Sequence, residues 1–542
     1  MRRRVAADAA QSFGDHLAEI KAELVATREV IARLEAERDE YKKLFLLLRE
    51  ENEKLKLGLV GQKAERLDPN DRQLSLSILE MMLGRKSAPE APRTEQVRAH
   101  ERKKPTGRKP LPEHLARVEI ELIPLDVQQE GLDKFDRIGE EVSETLERRP
   151  SSTVVVVTRR PKFARKDRVR HGPTRVLIAE VPELPIQRGR AGPGLLADTI
   201  VRRWQDHQPL HRIERIFARD GVELARSTIC GWHQELAELA RPIVDAMRAD
   251  ALVQPYLCTD ATGVLVRAPQ KCRNGHFWVL VAPERHVIFD YTPHHDSAGV
   301  DKMLAGYEGY LVADAHAVYD HLYASGKVIE VGCWSHLRRY FYKTLGSEPE
   351  RAREALALIG ELFAIERAVD RAAPAERLRV RQEKSRPIVA RFFAWRDELA
   401  PTALDETPLA KALGYAKNHR AAFERFLEDG RLPMHNNWSE LQLRRQVLGR
   451  KNWLFVGSDD AAQVNTIFVS LLASCALHGI EPWTYLRDLL CLLPSWPKSR
   501  VVELAPVNWK QTLEQQDTQQ RLGANPFRTA ILALDRDHPD DE

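Results

Sequence analysis

The sequence predicts a multidomain chain centred on a mixed α/β unit, and three observations carry this. The 542 residues exceed what one hydrophobic core organises, so about three to five structural units are expected. Hydrophobic residues make up 43% and charged residues 30%, the balance of a globular chain with a wet surface. Between Pro255 and Cys333, short β-branched runs and apolar helical patterns follow one another as strand, strand, strand, helix, strand, helix, strand, with helices after them.

The bulk numbers also exclude. No run of about 18 apolar residues predicts a membrane span. Met1-Arg-Arg-Arg is not followed by an apolar signal core. The six cysteines (Cys230, Cys258, Cys272, Cys333, Cys475, Cys491) form no dense framework, which suits a reducing, intracellular setting. Net charge is only +4, yet basic residues gather at Arg2–Arg4, Arg98–Lys109, Arg159–Arg170 and Arg444–Lys451, while the tail Asp535–Glu542 is acidic. Each cluster alone reads as solvated surface; the set points to a polyanionic partner.

Residues 1–60 read as a leucine-zipper-like coiled coil. Leu17, Leu24, Ile31, Phe45 and Leu59 stand seven or fourteen apart, with Ile20, Leu34, Tyr41, Leu48 and Leu55 at the companion positions. Arg38 and Asn52 fall at two a positions and Thr27 at a d position, where polar groups cost stability and can fix register and partner number. Residues 61–115, with Pro92, Pro105, Gly107, Pro110 and Pro112 among charges, read as a basic linker. Residues 116–190 form a small β-rich unit with strands at Val118–Ile123, Thr153–Thr158 and Arg175–Ala179.

Residues 191–250 change to helical periodicity. Leu210, Ile213 and Ile216-Phe217 mark one helix, Asp220-Gly221-Val222 a turn, and Arg226-Ser227-Thr228 the start of a second helix carrying Ile229, Trp232 and Leu236. This is a helix-turn-helix outline, which any helical hairpin also fits. Residues 251–345 hold strands at Tyr256–Val266, His276–Ala282, His286–Tyr291, Tyr310–Ala313 and Val328–Cys333, with a helix from Ser297 to Leu304. Residues 346–431 are a helical insertion, 432–493 return to the core, and 494–542 read as a charged, weakly patterned tail.

The strand order is that of a ribonuclease H-like α/β core, and the acids fall where such a core can use them. Asp260 lies within the first strand and Asp314 at the end of the fourth, which would be its neighbour; Glu440 lies in the first turn of a later helix. Three close carboxylates repel unless a divalent cation neutralises them. Hard oxygen ligands suit Mg²⁺ or Mn²⁺, and two such ions can activate a nucleophile and steady the leaving oxygen of a phosphodiester. Acids at strand ends and in first helical turns are also common for purely structural reasons. Arg444, Arg445, Arg450, Lys451 and Asn452, with Trp453 and Phe455, make a basic, amide-bearing stretch after Glu440 that suits a phosphate backbone.

The segments Asn436-Asn-Trp-Ser-Glu-Leu-Gln-Leu-Arg, Leu448-Gly-Arg-Lys-Asn-Trp-Leu-Phe-Val-Gly-Ser and Gly332-Cys-Trp-Ser-His-Leu-Arg-Arg-Tyr-Phe resemble the signatures of the insertion-sequence-66 transposases. Ala412–Glu424 and Ser470–Leu486 are similar too, and the resemblance runs from about Gly61 to about Leu493. It implies a DDE transposase acting on DNA in the bacterial cytoplasm, at the nucleoid, with catalytic and metal-binding residues Asp260, Asp314 and Glu440 and two Mg²⁺ or Mn²⁺ ions. DNA contacts are expected from Arg226, Ser227, Thr228, Asn436, Asn437, Arg444, Arg445, Arg450, Lys451 and Asn452. The expected partners are the element's terminal inverted repeats and target DNA, a second copy of the chain through the coiled coil, and accessory proteins of the same element. No membrane partner is expected.

The family's zinc module uses paired cysteines, and residues 116–190 contain none; Phe163-Ala-Arg-Lys-Asp stands in their place, so no zinc is expected. Cys333 and His336 match a Cys-x-x-His pattern that cannot by itself complete a tetrahedral zinc site, so a packing or site-supporting role is expected for both. His435, Leu441 and Ala261 replace an aspartate, an arginine and an acid of the family pattern. The rival readings are a catalytically inactive or co-opted transposase that only binds DNA, a coiled-coil transcription regulator, and a ribonuclease or resolvase on the same core.

Overall fold

The computed structural model describes residues 21, 23–49, 110–149, 152–166, 176–187 and 189–536. The ends of the expected coiled coil and nearly all of the expected basic linker lie outside these residues. The chain divides into two compact units: Met1–Arg108 with His336–Ala372 and Arg379–Arg420, and Lys109–Ser335 with Ala373–Leu378 and Ala421–Glu542.

In the first unit, residues 23–49 are one helix, α1. Leu24, Ile31, Phe45, Leu34, Tyr41 and Leu48, the heptad positions, are half or more exposed, so this face carries apolar surface into solvent. Lys43 pairs with Glu406 at 2.8 Å. The rest of the unit is helical, including Pro349–Ala368, Arg386–Leu399 and Pro408–Asn418. Its core is aromatic, with Phe341 edge-on to Phe392 and near Trp395. Buried Arg381 meets Glu366 through two parallel bonds of 2.8 and 2.6 Å, so its charge is not left unpaired.

The second unit begins with a four-stranded sheet: β1 (Arg117–Glu121), β2 (Phe135–Arg149), β3 (Ser152–Arg165) and β4 (Val176–Ile178). β1 runs parallel to β3, while β2 and β4 run antiparallel to it. The sequence reading missed β2, because charged residues mask its alternation. Cross-strand ion pairs stand in for apolar ones: Glu141 meets Arg160 at 2.6 Å and Lys162 at 3.0 Å, and Arg159 meets Glu119 at 2.9 Å and Glu140 at 3.2 Å. Val127, Phe135 and Phe163 pack together as a small apolar cluster of this sheet.

Four helices follow in the order α2 (Pro193–Ile200), α3 (Leu210–Arg219), α4 (Arg226–Ala251) and, after three strands, α5 (Ser297–Met303). α3, the Asp220-Gly221 turn and α4 give the expected helix-turn-helix order, with Gly221 at φ 74°. A five-stranded sheet comprises β5 (Tyr256–Val266), β6 (Arg273–Ala282), β7 (His286–Thr292), β8 (Gly309–Ala313) and β9 (Val328–Gly332), in the spatial order β7-β6-β5-β8-β9. β5, β6 and β7 form an antiparallel meander, and β8 and β9 add in parallel on the other side of β5. Helix α6 (Trp334–Lys343) follows β9; then come α7 (Asn437–Trp453), α8 (Asp459–Leu477) and α9 (Pro482–Leu492).

Edge strand β7 is closed by α8. The Ser470 hydroxyl accepts the Phe289 amide at 2.8 Å, and that of Ser474 accepts the Val287 amide at 3.0 Å. Among the described residues α8 is the one helix long and apolar enough to cross a membrane, and 72% of that stretch is buried inside the fold. The C-terminal stretch departs from the weakly patterned tail expected. Trp509–Glu514, Gln516–Ala524 and Pro526–Arg536 are helices whose Trp509, Leu522, Phe527 and Ile531 are buried. These helices are only 6, 9 and 11 residues long, so each offers too few buried anchors for a periodicity to register.

Glu147 of β2 joins the small sheet to α2. Its carboxyl accepts the amides of Arg148 (2.8 Å) and Leu195 (2.7 Å), the latter in the first turn of α2. A Cβ on Gly192 or Gly194 would overlap that carboxyl. Burial pushes Glu147 up to about 8 from 4.5, with the amides and Arg487 opposing. Between those values the folded chain holds a proton that the unfolded chain has lost, so this group's contribution to stability falls as pH rises through the window. The melting temperature of the wild type should therefore fall relative to that of Glu147→Gln between about pH 5 and about pH 8, a difference read by calorimetry of the two proteins side by side.

Candidate active site

The parallel pairing of β5 and β8 sets Tyr256 opposite Tyr310, Leu257 opposite Leu311 and Cys258 opposite Val312. The same register, continued past the end of β8, puts Asp260 opposite Asp314. Adjacent strands lie about 4.8 Å apart, so the two carboxylates leave neighbouring backbones on one face of the sheet. Next to Asp314, Ala315 adopts φ 56°, a left-handed conformation rare for alanine. It turns the chain so that the Asp314 carboxylate accepts the His316 amide at 3.2 Å. Beneath both acids lies the buried Tyr319, whose phenol is pushed up first by burial, then by Asp314 and Asp260.

Glu440 comes from α7, and Asn436 places it. The Asn436 side chain, fully buried, donates to the carbonyl of Thr259 at 2.7 Å, one residue before Asp260. Its backbone amide donates to the Cys333 sulfur at 3.1 Å, and its carbonyl accepts the Glu440 amide at 3.2 Å. One residue thus ties the end of β9, the middle of β5 and the first turn of α7. A carboxylate oxygen of Glu440 lies within 4.8 Å of one of Asp260. Two carboxylates sharing a hard cation, each oxygen about 2.0–2.6 Å from it, stand at such a separation. Oxygens of two such carboxylates suit a hard cation such as Mg²⁺ or Mn²⁺.

The other expected site residues divide. Cys333 is buried and acts through Asn436. His336 is half-buried in the first turn of α6. Asn437 is exposed and accepts from Ser335 at 3.2 Å, while its amide meets the ring nitrogen of His435 at 3.3 Å. A histidine at this position can thus accept a helix-start amide, as an aspartate carboxylate could. Arg444, Lys451 and Asn452 are exposed on the outer face of α7, as is Leu441. Arg445 instead turns inward to Gln205 at 2.9 Å, and burial lowers its pKa. Arg450 reaches the Thr262 hydroxyl of β5 at 2.9 Å. Arg226, Ser227 and Thr228 stand exposed on another element, the start of α4, where Arg226 pairs with Glu214 at 3.0 Å.

Sequence reasoning missed an aromatic flank beside Asp314. The exposed His295 ring stacks on Trp278 (4.8 Å, 11°), with His276 and His316 against its other sides at 4.8 and 4.6 Å. These residues come from β6, the loop after β7 and the loop after β8, so no spacing along the chain announces the cluster.

Three family models match: Transposase IS66 family over residues 188–464, Transposase C of IS166 homeodomain over 47–120 and IS66 C-terminal element over 470–507. Two uncharacterized proteins of Sinorhizobium fredii are similar over most of their length. The first, y4hP, is 30% identical over 491 residues, 85% of this chain and 88% of that protein. The second, y4qI, is 32% identical over 477 residues, 83% and 86% respectively.

Replacing Asn436 by alanine strands the buried Thr259 carbonyl and unties α7 from β5. Asn436→Ala should lower unfolding stability by about 1–3 kcal/mol, measured by denaturant titration.

Proposed function

Since the chain belongs to the IS66 transposase family, we propose that it cuts and joins DNA at the ends of an insertion sequence, on a ribonuclease H-like core, with Asp260, Asp314 and Glu440 as its metal-binding catalytic residues. The observation that supports this best is the approach of Glu440 on α7 to Asp260 on β5 beside the Asn436 tie, with β8, the strand that leads to Asp314, paired to β5. When bound at these carboxylates, two divalent cations activate the attacking water or 3′-hydroxyl and polarise the phosphodiester. Asp260 and Asp314 would hold the metals on carboxylates carried by β5 and the end of β8, and Glu440 would complete the second metal's coordination from α7. Exposed Arg444 and Lys451 hold phosphates of the strand crossing α7. Arg450, bonded to Thr262, braces α7 along β5. The exposed start of α4, with Arg226, Ser227 and Thr228, enters a groove of the terminal repeats.

Labelled duplex carrying the DNA that borders the coding sequence, incubated with Mg²⁺ or Mn²⁺, should be nicked at the element boundary. Glu440→Gln should bind the same duplex and cut it more than about 100-fold more slowly, since loss of an outer-shell partner alone costs 10–100-fold. Specific binding without cleavage by the wild type would instead favour a DNA-binding remnant.

The exposed apolar face of α1 suits pairing with a second copy of the chain, which would bring two DNA ends together. The wild type should sediment as a dimer or larger species, and a Leu24→Asp/Ile31→Asp double variant as a smaller one.

A further inference from the structure

The junction after α7 holds two large apolar side chains in solvent. Leu454 is 66% exposed and Phe455 43% exposed, beside Leu265 of β5 at 46%. Leu454 has φ 65° and ψ −47°, and the Phe455 amide bonds back to the Trp453 carbonyl at 2.8 Å. This is the left-handed γ-turn, a rare and strained conformation for a bulky residue. Both sides of the turn are anchored. Trp453 folds over Gly449, where a Cβ would meet its indole at 2.7 Å. Val456 is buried and hydrogen-bonded on both sides to β5: its amide to Leu265 and its carbonyl from the Arg267 amide, each at 2.8 Å. The inward residues thus pack while the strained pair between them projects.

Apolar surface without a cover is costly, and strain at a fixed point persists only where surrounding structure imposes it. The surroundings here carry exposed cations, with Asp460 the exposed acid at the start of α8. Lys451, Arg267 and Lys271 are exposed, and the nearby Asp459 is already paired with Arg273 and Tyr291. Proteins that kink DNA combine these features, inserting leucine or phenylalanine between base steps amid phosphate-binding cations. We propose that Leu454 and Phe455 are an apolar wedge that enters the DNA duplex and unstacks a base step. This rests on the reading of the chain as a DNA-cutting enzyme.

The fold also sets where the wedge acts. From Asp260 to Leu265 along β5 is roughly 17 Å at about 3.3 Å per residue. From Glu440 to Leu454 along α7 is roughly 21 Å at 1.5 Å per residue. Base pairs rise about 3.4 Å, so the unstacked step lies about five or six base pairs from the phosphodiester that is cut.

The test places 2-aminopurine at successive positions in the duplex bordering the coding sequence, without divalent metal and at saturating protein, with the cleavage position mapped separately. The wild type should raise fluorescence about five or six base pairs from the cut. Phe455→Ala and Leu454→Gly should lose that rise and bind roughly tenfold more weakly. Leu454→Gly should melt no lower than the wild type, since glycine accepts the positive φ, which separates loss of the wedge from loss of the fold. A bound wild type without the rise, or variants that keep it, overturns the wedge and leaves the DNA-binding reading standing. Variants that change only self-association make the patch an interface between copies and overturn it too. A wild type that binds no DNA overturns both readings.

Discussion

The hydrogen bond from the Asn436 side chain to the Thr259 carbonyl is the tie on which the candidate site depends. Strand β5 carries Asp260, and its pairing with β8 settles Asp314, because backbone ladders leave little freedom in register. Nothing in the sheet alone determines where Glu440 stands. A helix can slide or rotate on a sheet face, and carboxylates repel as they approach. Asn436 opposes this with three hydrogen bonds at a fully buried position, to β5, to the end of β9 and into the first turn of α7. Away from water such bonds are expensive to leave unmade, so this helix end is held at one place on the sheet.

Polar groups join the parts of this unit elsewhere too. Ser470 and Ser474 satisfy the edge of β7 from within an otherwise apolar helix. Glu147 closes the first turn of α2 from another sheet. Arg450 links α7 to β5 beyond the acids. The apolar core makes these surfaces adhere, and directional bonds choose among the ways they could adhere. At the far end of α7 the same logic yields the strained turn at Leu454, because Trp453 and Val456 are each committed to the interior and leave that geometry between them.

Much of the layout was legible along the chain. The five strands of the central sheet announce themselves by β-branched runs, and the adjacency of β5 and β8 was expected from the order of strands and helices. Asp260, Asp314 and Glu440 could be singled out because each falls at a strand or a helix start. What escaped has physical reasons. β2 is held by ion pairs and carries no apolar alternation. The C-terminal helices bury one or two residues per turn. Arg445 has the composition of a phosphate contact, yet its position on α7 turns it toward Gln205. The stack of His295 on Trp278 joins residues from separate elements.

The amino-acid sequence by itself determined the order of elements in the central sheet and the family, and singled out three acids as candidates, because these depend on local pattern and on strings of adjacent residues. Only the tertiary structure decided which side chains of α7 face inward, that Asn436 binds β5, and that Leu454 and Phe455 are held out in solvent. Those outcomes depend on the rotation of a helix against a sheet and on hydrogen bonds between residues as far apart as Thr259 and Asn436. Such distances along the chain leave no periodicity, and the free energies that settle them come from burial, which exists only once the parts have met.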